Sequence, residues 1–322
     1  MVGMRDVAKK AGVSLSTVSL VVNGNGYVSN DMRDRVRKAM QALNYVPNEL
    51  ARNLYHDRTN LVGVIVPTIR HPFFATFTAH LQHALAAQGL RTMLCSTTDE
   101  TDGEIQYVDM LRRHMMDGIV MCAHTSHPGD YWTSIHRPIV AFDRVLGNGI
   151  SSIGSDHEQG GRLIAQMLIR NGARHVVMIG GPRDQFFDLA VRGEVEEGSF
   201  DLGKTTFPTV RYYLTLEQEL TSAGVKYEYI EAGEVMDFAG YHRAVSRALD
   251  GVATDGVDAV VSSDIGAAFC VREALSRGIS IPDELQVVAY DGTYLTDLAG
   301  MKLTAVGTGF LGDRRSRRPD HM

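Results

Sequence analysis

The chain has 322 residues, enough for about two or three domains, and its 44% hydrophobic and 22% charged content is typical of globular proteins. It contains no apolar run long enough to span a membrane and no opening signal peptide, so we expect a cytoplasmic protein without a membrane partner. The net charge of −6 is unevenly distributed: residues 1–58 hold nine Lys/Arg against five Asp/Glu, and the rest hold 23 against 33. A basic segment on an acidic body places an anionic partner at the N-terminus.

The first predicted elements are two short helices joined by a tight turn. One helix ends near Ala11, and Gly12 permits the turn. Ser14 can then cap a second helix over roughly 15–22, because its hydroxyl can accept a bond from a free backbone N–H. Two helices in this arrangement form a helix-turn-helix, whose second helix enters the major groove of DNA with its N-terminus first.

The outward side chains of this second helix are the predicted readers of DNA sequence. Leu15 suits apolar contact with a thymine methyl, and Ser16 suits a hydrogen bond to a base edge. Thr17 and Ser19 are better suited to phosphate oxygens. The alternative interpretation is a small helical domain that touches no DNA.

A third helix is predicted with Ser29 as its N-cap. Its apolar stripe at helical spacing consists of Met32, Val36, Ala39, Met40 and Leu43. Its outer face carries Arg33, Arg35, Arg37 and Lys38. Pro47 then disfavours helix at Val46, and Asn48 can cap a short fourth helix over 49–54.

The segments RDVAKKAGVSLSTVSLVVN and VSNDMRDRVRKAMQALNYVPNELARNL resemble the lactose-repressor (LacI/GalR) family of bacterial transcription regulators. The resemblance implies a hinge helix in which Leu54 of both subunits enters the minor groove and kinks the duplex, while Ala51 keeps the hinge slim. Leu20 departs from the arginine usual in the family, which removes a base or phosphate contact. The residues predicted to contact DNA are Leu15, Ser16, Thr17, Ser19, Leu20, Asn23, Tyr45, Asn48, Ala51 and Leu54.

From Leu61 onward, apolar β-rich runs alternate with helical segments, beginning with LVGVIVP. This alternation predicts an α/β body of two doubly wound lobes. The sequence words VGVIVP, HPFF, DGIVM, VAFDR, SSDIGA and PDELQVVAYD, in this order, resemble the periplasmic-binding-protein-like body of the same family.

The domain boundaries follow from these patterns. We predict a headpiece with hinge over 1–58, a body over 59–322, lobes over roughly 60–155 and 156–288, and a return of 289–306 to the first lobe. Two stretches depart from the family pattern. Ala190 stands where the family has a ligand-contacting arginine, within an altered segment over 183–211. After Val306 the family continues with helix and strand, whereas here a Gly- and Arg-rich stretch over 307–322 follows, for which we expect disorder.

An effector site is predicted beyond the carboxyl ends of the strands, where ligands bind in open α/β lobes. Carboxylates suit sugars because each can accept two hydroxyl hydrogens, and aromatic rings stack on sugar faces. The predicted ligand-binding residues are Phe73, Phe74, Asp143, Arg183, Asp264 and Asp291. The alternatives are core packing for the two phenylalanines and a helix N-cap for Asp264.

Enzyme motifs such as a P-loop, GxGxxG, GxSxG or HExxH are absent from the sequence, so we expect no catalysis and no cofactor. His80 and His83 have no clear third ligand, and we predict no metal site. The sequence predicts a homodimeric regulator, a repressor of carbohydrate-utilisation genes, that binds double-stranded operator DNA and a sugar-like effector. The alternatives are a ligand-insensitive DNA-binding protein, a transporter's solute-binding protein and an α/β enzyme.

Overall fold

The computed structural model describes residues 2–47, 58–97, 103–123, 125, 127, 130–183, 207–233 and 238–307. Contacts divide the chain into two compact units, Met1–Thr59 and Asn60–Met322. Several predictions lie outside the described residues: those for Asn48, Ala51 and Leu54, for the hinge helix, for 184–206 and for 308–322.

The N-terminal unit contains the predicted helix-turn-helix. Its helices are α1 (Met4–Ala11), α2 (Leu15–Asn23) and α3 (Asn30–Ala42). Gly12 adopts the left-handed conformation at φ 63°, and the Ser14 hydroxyl accepts from the Thr17 backbone N–H at 3.0 Å. Val7, Val18 and Val36 are fully buried, one from each helix, so each helix contributes to a single small core.

Arg35 on α3 stabilises the turn between α1 and α2. Its Nε and Nη2 donate to the Ala11 carbonyl at 3.1 and 2.7 Å, and Nη2 also donates to the Gly12 carbonyl at 3.0 Å. The sequence placed this residue on the basic outer face. The structure shows that its guanidinium instead satisfies backbone carbonyls at the C-terminal end of α1, which have no partner within that helix.

The second unit alternates strands and helices along the described chain. Its strands are β1 (Leu61–Val66), β2 (Arg91–Ser96), β3 (Gly118–Met121), β4 (Ile139–Phe142), β5 (Ser151–Ile153), β6 (His175–Gly180), β7 (Lys226–Glu231), β8 (Ala259–Ser263), β9 (Gln286–Asp291) and β10 (Thr304–Gly307). Its α-helices are α4 (Pro72–Ala87), α5 (Ile105–Arg112), α6 (His157–Arg170), α7 (Val210–Ser222), α8 (Phe238–Thr254), α9 (Asp264–Ser276) and α10 (Leu295–Leu298). Among these described helices, none is long and apolar enough to cross a membrane.

The strands form two parallel sheets, each the centre of one lobe. The first has the order β2-β1-β3-β4-β5, and the second has the order β10-β9-β8-β6-β7. Read from β7, the second sheet repeats the strand order of the first. Continuous apolar strands such as β1, in which Val64, Ile65 and Val66 are fully buried, reflect coverage of both faces of a parallel sheet by helices. The two-lobed α/β fold is confirmed.

The predicted return of residues 289–306 to the first lobe is wrong. β9 continues through Asp291 in the second sheet, and β10 pairs with it in parallel, from Thr304 opposite Val288 to Gly307 opposite Asp291. The connection between them carries Leu295 and Leu303, which pack into the core of the second lobe. Burial of these side chains keeps the segment on the lobe from which β9 comes.

Candidate functional site

The outward face of α2 brings together the predicted base readers. Leu15, Ser16 and Leu20 are exposed, and Ser19 and Asn23 are half-buried beside them. Val18 faces the opposite way and is fully buried. Leu15 and Ser16 are thus accessible, as the sequence predicted, and their contact with DNA stays a prediction.

The hydroxyls of this helix bond to one another. Ser14 Oγ lies 2.7 Å from Ser16 Oγ and 2.8 Å from Thr17 Oγ1. Asn23 Nδ2 donates to Ser19 Oγ at 3.1 Å. Any hydrogen bond from these side chains to DNA therefore replaces or shares an existing partner within the helix.

Tyr45 lies at the edge of this unit's core. Its side chain packs against the cluster formed by the three helices, and its backbone N–H donates to the Met40 carbonyl at 2.9 Å. The ring is half-buried, so part of it remains available at the surface. Its predicted contact with DNA stays a prediction.

In the second unit, Asp143 lies at the end of β4 and connects the first sheet to the second lobe. Its Oδ1 accepts from the Ser155 backbone N–H at 3.0 Å and lies 2.9 Å from Nε2 of His157, the first residue of α6. A Cβ on Gly154 would collide with the same oxygen, which explains glycine there. Among the described residues, no hydrogen bond reaches Oδ2 of Asp143.

His157 extends this contact to β9. Its Nδ1 lies 2.6 Å from the Tyr290 hydroxyl, and the Tyr290 ring stacks on Tyr212 at a centroid distance of 3.7 Å. Burial raises the pKa of Tyr290, so its hydroxyl remains a donor at neutral pH. A neutral imidazole with its proton on Nε2 satisfies both contacts, donating to Asp143 and accepting from Tyr290.

Sequence reasoning missed His157 and Tyr290. The available signal was their position: His157 opens the helix after the passage between lobes, and Tyr290 immediately precedes Asp291. Nothing in the sequence pairs two residues that lie 133 positions apart.

Asp264 is fully buried and bonds to the loop that follows β9. Its Oδ2 accepts from the backbone N–H and the hydroxyl of Thr293 at 2.6 and 2.5 Å, and its Oδ1 accepts from the Gly292 N–H at 3.1 Å. Burial raises the pKa of Asp264, and these hydrogen bonds oppose the shift. Ser263, not Asp264, is the N-cap of α9. Both carboxylate oxygens therefore hold this loop, and the ligand role of Asp264 stays a prediction.

Asp291 terminates β9 with an unusual backbone, φ 113°. Burial raises the pKa of its carboxyl well above the ordinary value, and the negative charges of Asp264 and Asp143 raise it further. These interactions place the three aspartates in one electrostatic neighbourhood, and their contact with an effector stays a prediction. A group that donates hydrogen bonds to this acidic cluster would relieve the repulsion.

The two phenylalanines differ in exposure. Phe73 is 9% exposed, and its ring centroid lies 6.2 Å from Phe142 and 5.2 Å from Phe74. Phe74 is half-buried and meets the His71 ring edge-on at 5.8 Å. The geometry of Phe73 therefore matches the core-packing alternative, while Phe74 keeps part of its ring available.

Arg183 is paired at the outer edge of the second sheet. Its Nη2 donates to Glu217 Oε2 at 2.8 Å, and its guanidinium lies 4.7 Å from the Tyr229 ring centroid. These residues line a cavity of about 580 Å³ together with Tyr227, Glu228, Ile230, Glu231 and Arg247. The charge of Arg183 is already balanced by Glu217.

Comparison with known proteins identifies the chain. Family models match along its length: "Bacterial regulatory proteins, lacI family" over residues 3–48, "Periplasmic binding proteins and sugar binding domain of LacI family" over 59–202, and "Periplasmic binding protein-like domain" over 165–310. The sucrose operon repressor of Pediococcus pentosaceus is 33% identical over 303 residues, covering 94% of this chain and 86% of that protein. The chain belongs to the LacI family.

Other similar proteins agree with this assignment. The ribose operon repressor of Bacillus subtilis (strain 168) is 32% identical over 301 residues, covering 90% of this LacI-family chain and 82% of that protein. The crystal structure of the Lac repressor dimer bound to operator and the anti-inducer ONPF has a TM-score of 0.76 at 21% identity, covering 96% of this chain and 88% of that one. At this identity, the second comparison establishes the fold.

In this LacI-family protein, the structure brings some of the predicted site residues together and places others apart. Leu15, Ser16, Thr17, Ser19, Leu20 and Asn23 lie on one helix, and the negative charges of Asp264 and Asp143 act on Asp291. Arg183 lies at the outer edge of the second sheet, paired with Glu217. The effector role of this acidic cluster stays a prediction.

Proposed function

We propose that this LacI-family protein represses carbohydrate-utilisation genes and that a small sugar-like effector bound between its lobes controls its affinity for operator DNA. It acts as a cytoplasmic homodimer on a site with two-fold symmetry and is not an enzyme. Two relatives named as sucrose and ribose operon repressors support this function. The family's helix-turn-helix supplies the DNA-binding part.

The observation that carries the effector proposal is the hydrogen bonding of the Asp143 carboxylate. Its Oδ1 is fixed by Ser155 and His157, which hold the carboxylate in one orientation. Its Oδ2 has no hydrogen bond among the described residues, so it can accept a hydroxyl hydrogen from a polyol. Asp291, half-buried and close enough to be affected by the charge of Asp143, is suited to a second hydroxyl.

Control of DNA affinity requires that the lobes respond to the ligand. Asp143 ends a strand of the first sheet, whereas its partners Ser155 and His157 lie at the passage to the second lobe and on α6. Arg70, which follows β1, also lies 5.3 Å from the ring centroid of Phe238 at the start of α8. A ligand that bonds to Asp143 and Asp291 at once favours one arrangement of the two lobes, and this difference in affinity shifts the population.

The competing proposal is a DNA-binding protein that ignores sugars. It is favoured by Ala190, which stands where the family resemblance implies an arginine that contacts the ligand. The two proposals agree about the N-terminal unit and differ about the second unit.

A fluorescence anisotropy titration separates them. Duplexes are first selected for binding from a random-sequence library, and the full chain is then titrated on them with and without sucrose, ribose and related sugars. We expect at least one sugar to change the operator Kd by about fivefold or more, within the ordinary range of coupling energies. Asp143→Asn should lose this change and keep its sugar-free Kd, whereas the exposed Asp283→Asn should behave as wild type. Sequence-selective binding that responds to no sugar would support the competing proposal.

A further inference from the structure

The helix α2, whose outward face is predicted to contact DNA, has the sequence LSTVSLVVN and carries no charged side chain. Strong discrimination between bases comes from bidentate pairs made by Arg, Lys, Asn, Gln or a carboxylate. Asn23 is the one residue of these types in the helix, and its amide already donates to Ser19. This helix therefore depends on short hydroxyls and on apolar contact to distinguish bases.

Two leucines of α2 have exposed side chains. Leu15 is 43% exposed and Leu20 is 38% exposed, although the helix has only nine residues. Leu20 lies beside Gly26 in the turn that follows α2, where a Cβ would meet the Leu20 Cδ2 at 3.2 Å and φ is 74°. Glycine at this position therefore leaves room for the Leu20 side chain.

We infer that Leu20 is a specificity-determining residue that reads the C5-methyl group of a thymine, and that Leu15 reads a second thymine methyl in the same half-site. The inference rests on the proposed DNA-binding function and specifies its chemistry. The thymine methyl is the apolar group that a base pair presents in the major groove. The two leucines are five residues apart, about 7.5 Å along the helix axis, which exceeds the spacing of about 3.4 Å between base pairs. They therefore address different base pairs.

Replacement of thymine by uracil tests this inference directly. Uracil keeps every hydrogen-bonding group of thymine and lacks only the methyl. On a duplex selected from a random library, each thymine is exchanged singly and the Kd of the full chain is measured. We expect two positions in each half-site at which the exchange weakens binding roughly fourfold, the effect of burying about one methyl-sized group. Exchanges elsewhere should have little effect.

Variants then assign each methyl to a side chain. Leu20→Ala should remove the uracil sensitivity at one of the two positions and keep it at the other, and Leu15→Ala should do the reverse. Met32→Ala is the matched control, since Met32 on α3 is 42% exposed and should leave the whole profile unchanged.

The outcomes separate this inference from the function beneath it. Tight, sequence-selective binding that is indifferent to uracil at every position would overturn the methyl-reading inference and leave the regulator proposal intact. A uracil profile unchanged by Leu20→Ala would overturn the assignment to Leu20. Absence of sequence-selective binding by the wild-type chain would overturn the proposed function as well.

Discussion

Nε2 of His157 lies 2.9 Å from Oδ1 of Asp143, and this contact joins the first residue of α6 in the second lobe to the end of β4 in the first. Both side chains are buried. The other nitrogen of the same ring bonds to the hydroxyl of Tyr290, near the C-terminal end of β9 in the second sheet. One imidazole thus connects Asp143, a predicted effector-binding residue, to the second lobe.

Loss of this imidazole should destabilise the second unit. In His157→Ala, Asp143 Oδ1 keeps only the Ser155 N–H and the Tyr290 hydroxyl loses its partner, both in buried surroundings. We expect a loss of roughly 2–4 kcal/mol in the free energy of unfolding, measured with urea. Tyr290→Phe removes only one hydroxyl and should cost about 1 kcal/mol. Equal unfolding midpoints for wild type and His157→Ala would contradict the role given to this contact.

Stability should depend on pH through His71. Burial lowers the pKa of this histidine from 6.5 to about 4, because the charged form is poorly solvated. The unfolded chain therefore binds the proton more readily, and the stability that is fully present above pH 6.5 is lost as the pH falls towards 4, by on the order of 3 kcal/mol. His71→Asn, which keeps an N-cap for α4, should flatten this part of the profile in urea titrations between pH 4.5 and 7.5. An unchanged slope in the variant would show that His71 is not responsible.

Asp291 should lower the stability of the folded chain and be required for the response to sugar. Its raised pKa means that ionisation is unfavourable in the folded state, so the cost appears as the pH rises through and above the ordinary range of a carboxyl. Asp291→Asn should therefore be more stable than wild type at pH 7 and should lose the response to sugar. Asp283→Asn, on the surface, should change neither property. A less stable Asp291→Asn at pH 7 would contradict the electrostatic account of this cluster.

Arg35 should matter for the fold of the N-terminal unit more than its basic neighbours do. Its guanidinium holds the Ala11 and Gly12 carbonyls, so Arg35→Ala leaves the turn without these charge-assisted bonds and should cost roughly 1.5–3 kcal/mol locally. Hydrogen exchange in the full chain would measure this local loss of stability, as faster exchange of the backbone amides in peptides covering α1 and α2. Arg37→Ala, at an exposed position, is the matched control and should leave exchange unchanged.

The sequence predicted the features that depend on local signals. Gly12 and Ser14 mark the helix-turn-helix because a left-handed turn and a helix cap each require particular residue types. The uninterrupted apolar run at Val64–Val66 predicts a strand covered on both faces. These signals require no knowledge of distant residues.

The errors and omissions concern choices made by tertiary contacts. Asp264 and Asp291 have similar strand-end positions in the sequence. The structure shows that the Asp264 carboxylate accepts hydrogen bonds from the backbone of Gly292 and Thr293. β10 pairs beside β9 because Leu303 is buried in the second lobe, a preference that residues 289–306 do not reveal alone. The pairing of His157 with Tyr290 likewise exists only after the second lobe has folded.

The central claim is that one acidic site between the lobes senses a sugar and sets operator affinity. The most direct test is to measure the affinity of the full chain for an active sugar by calorimetry, with and without saturating operator duplex. Coupling is reciprocal, so the account predicts that operator changes the sugar Kd by the same factor by which sugar changes the operator Kd, and that Asp143→Asn removes both changes. A sugar that binds equally well with and without operator would contradict the account.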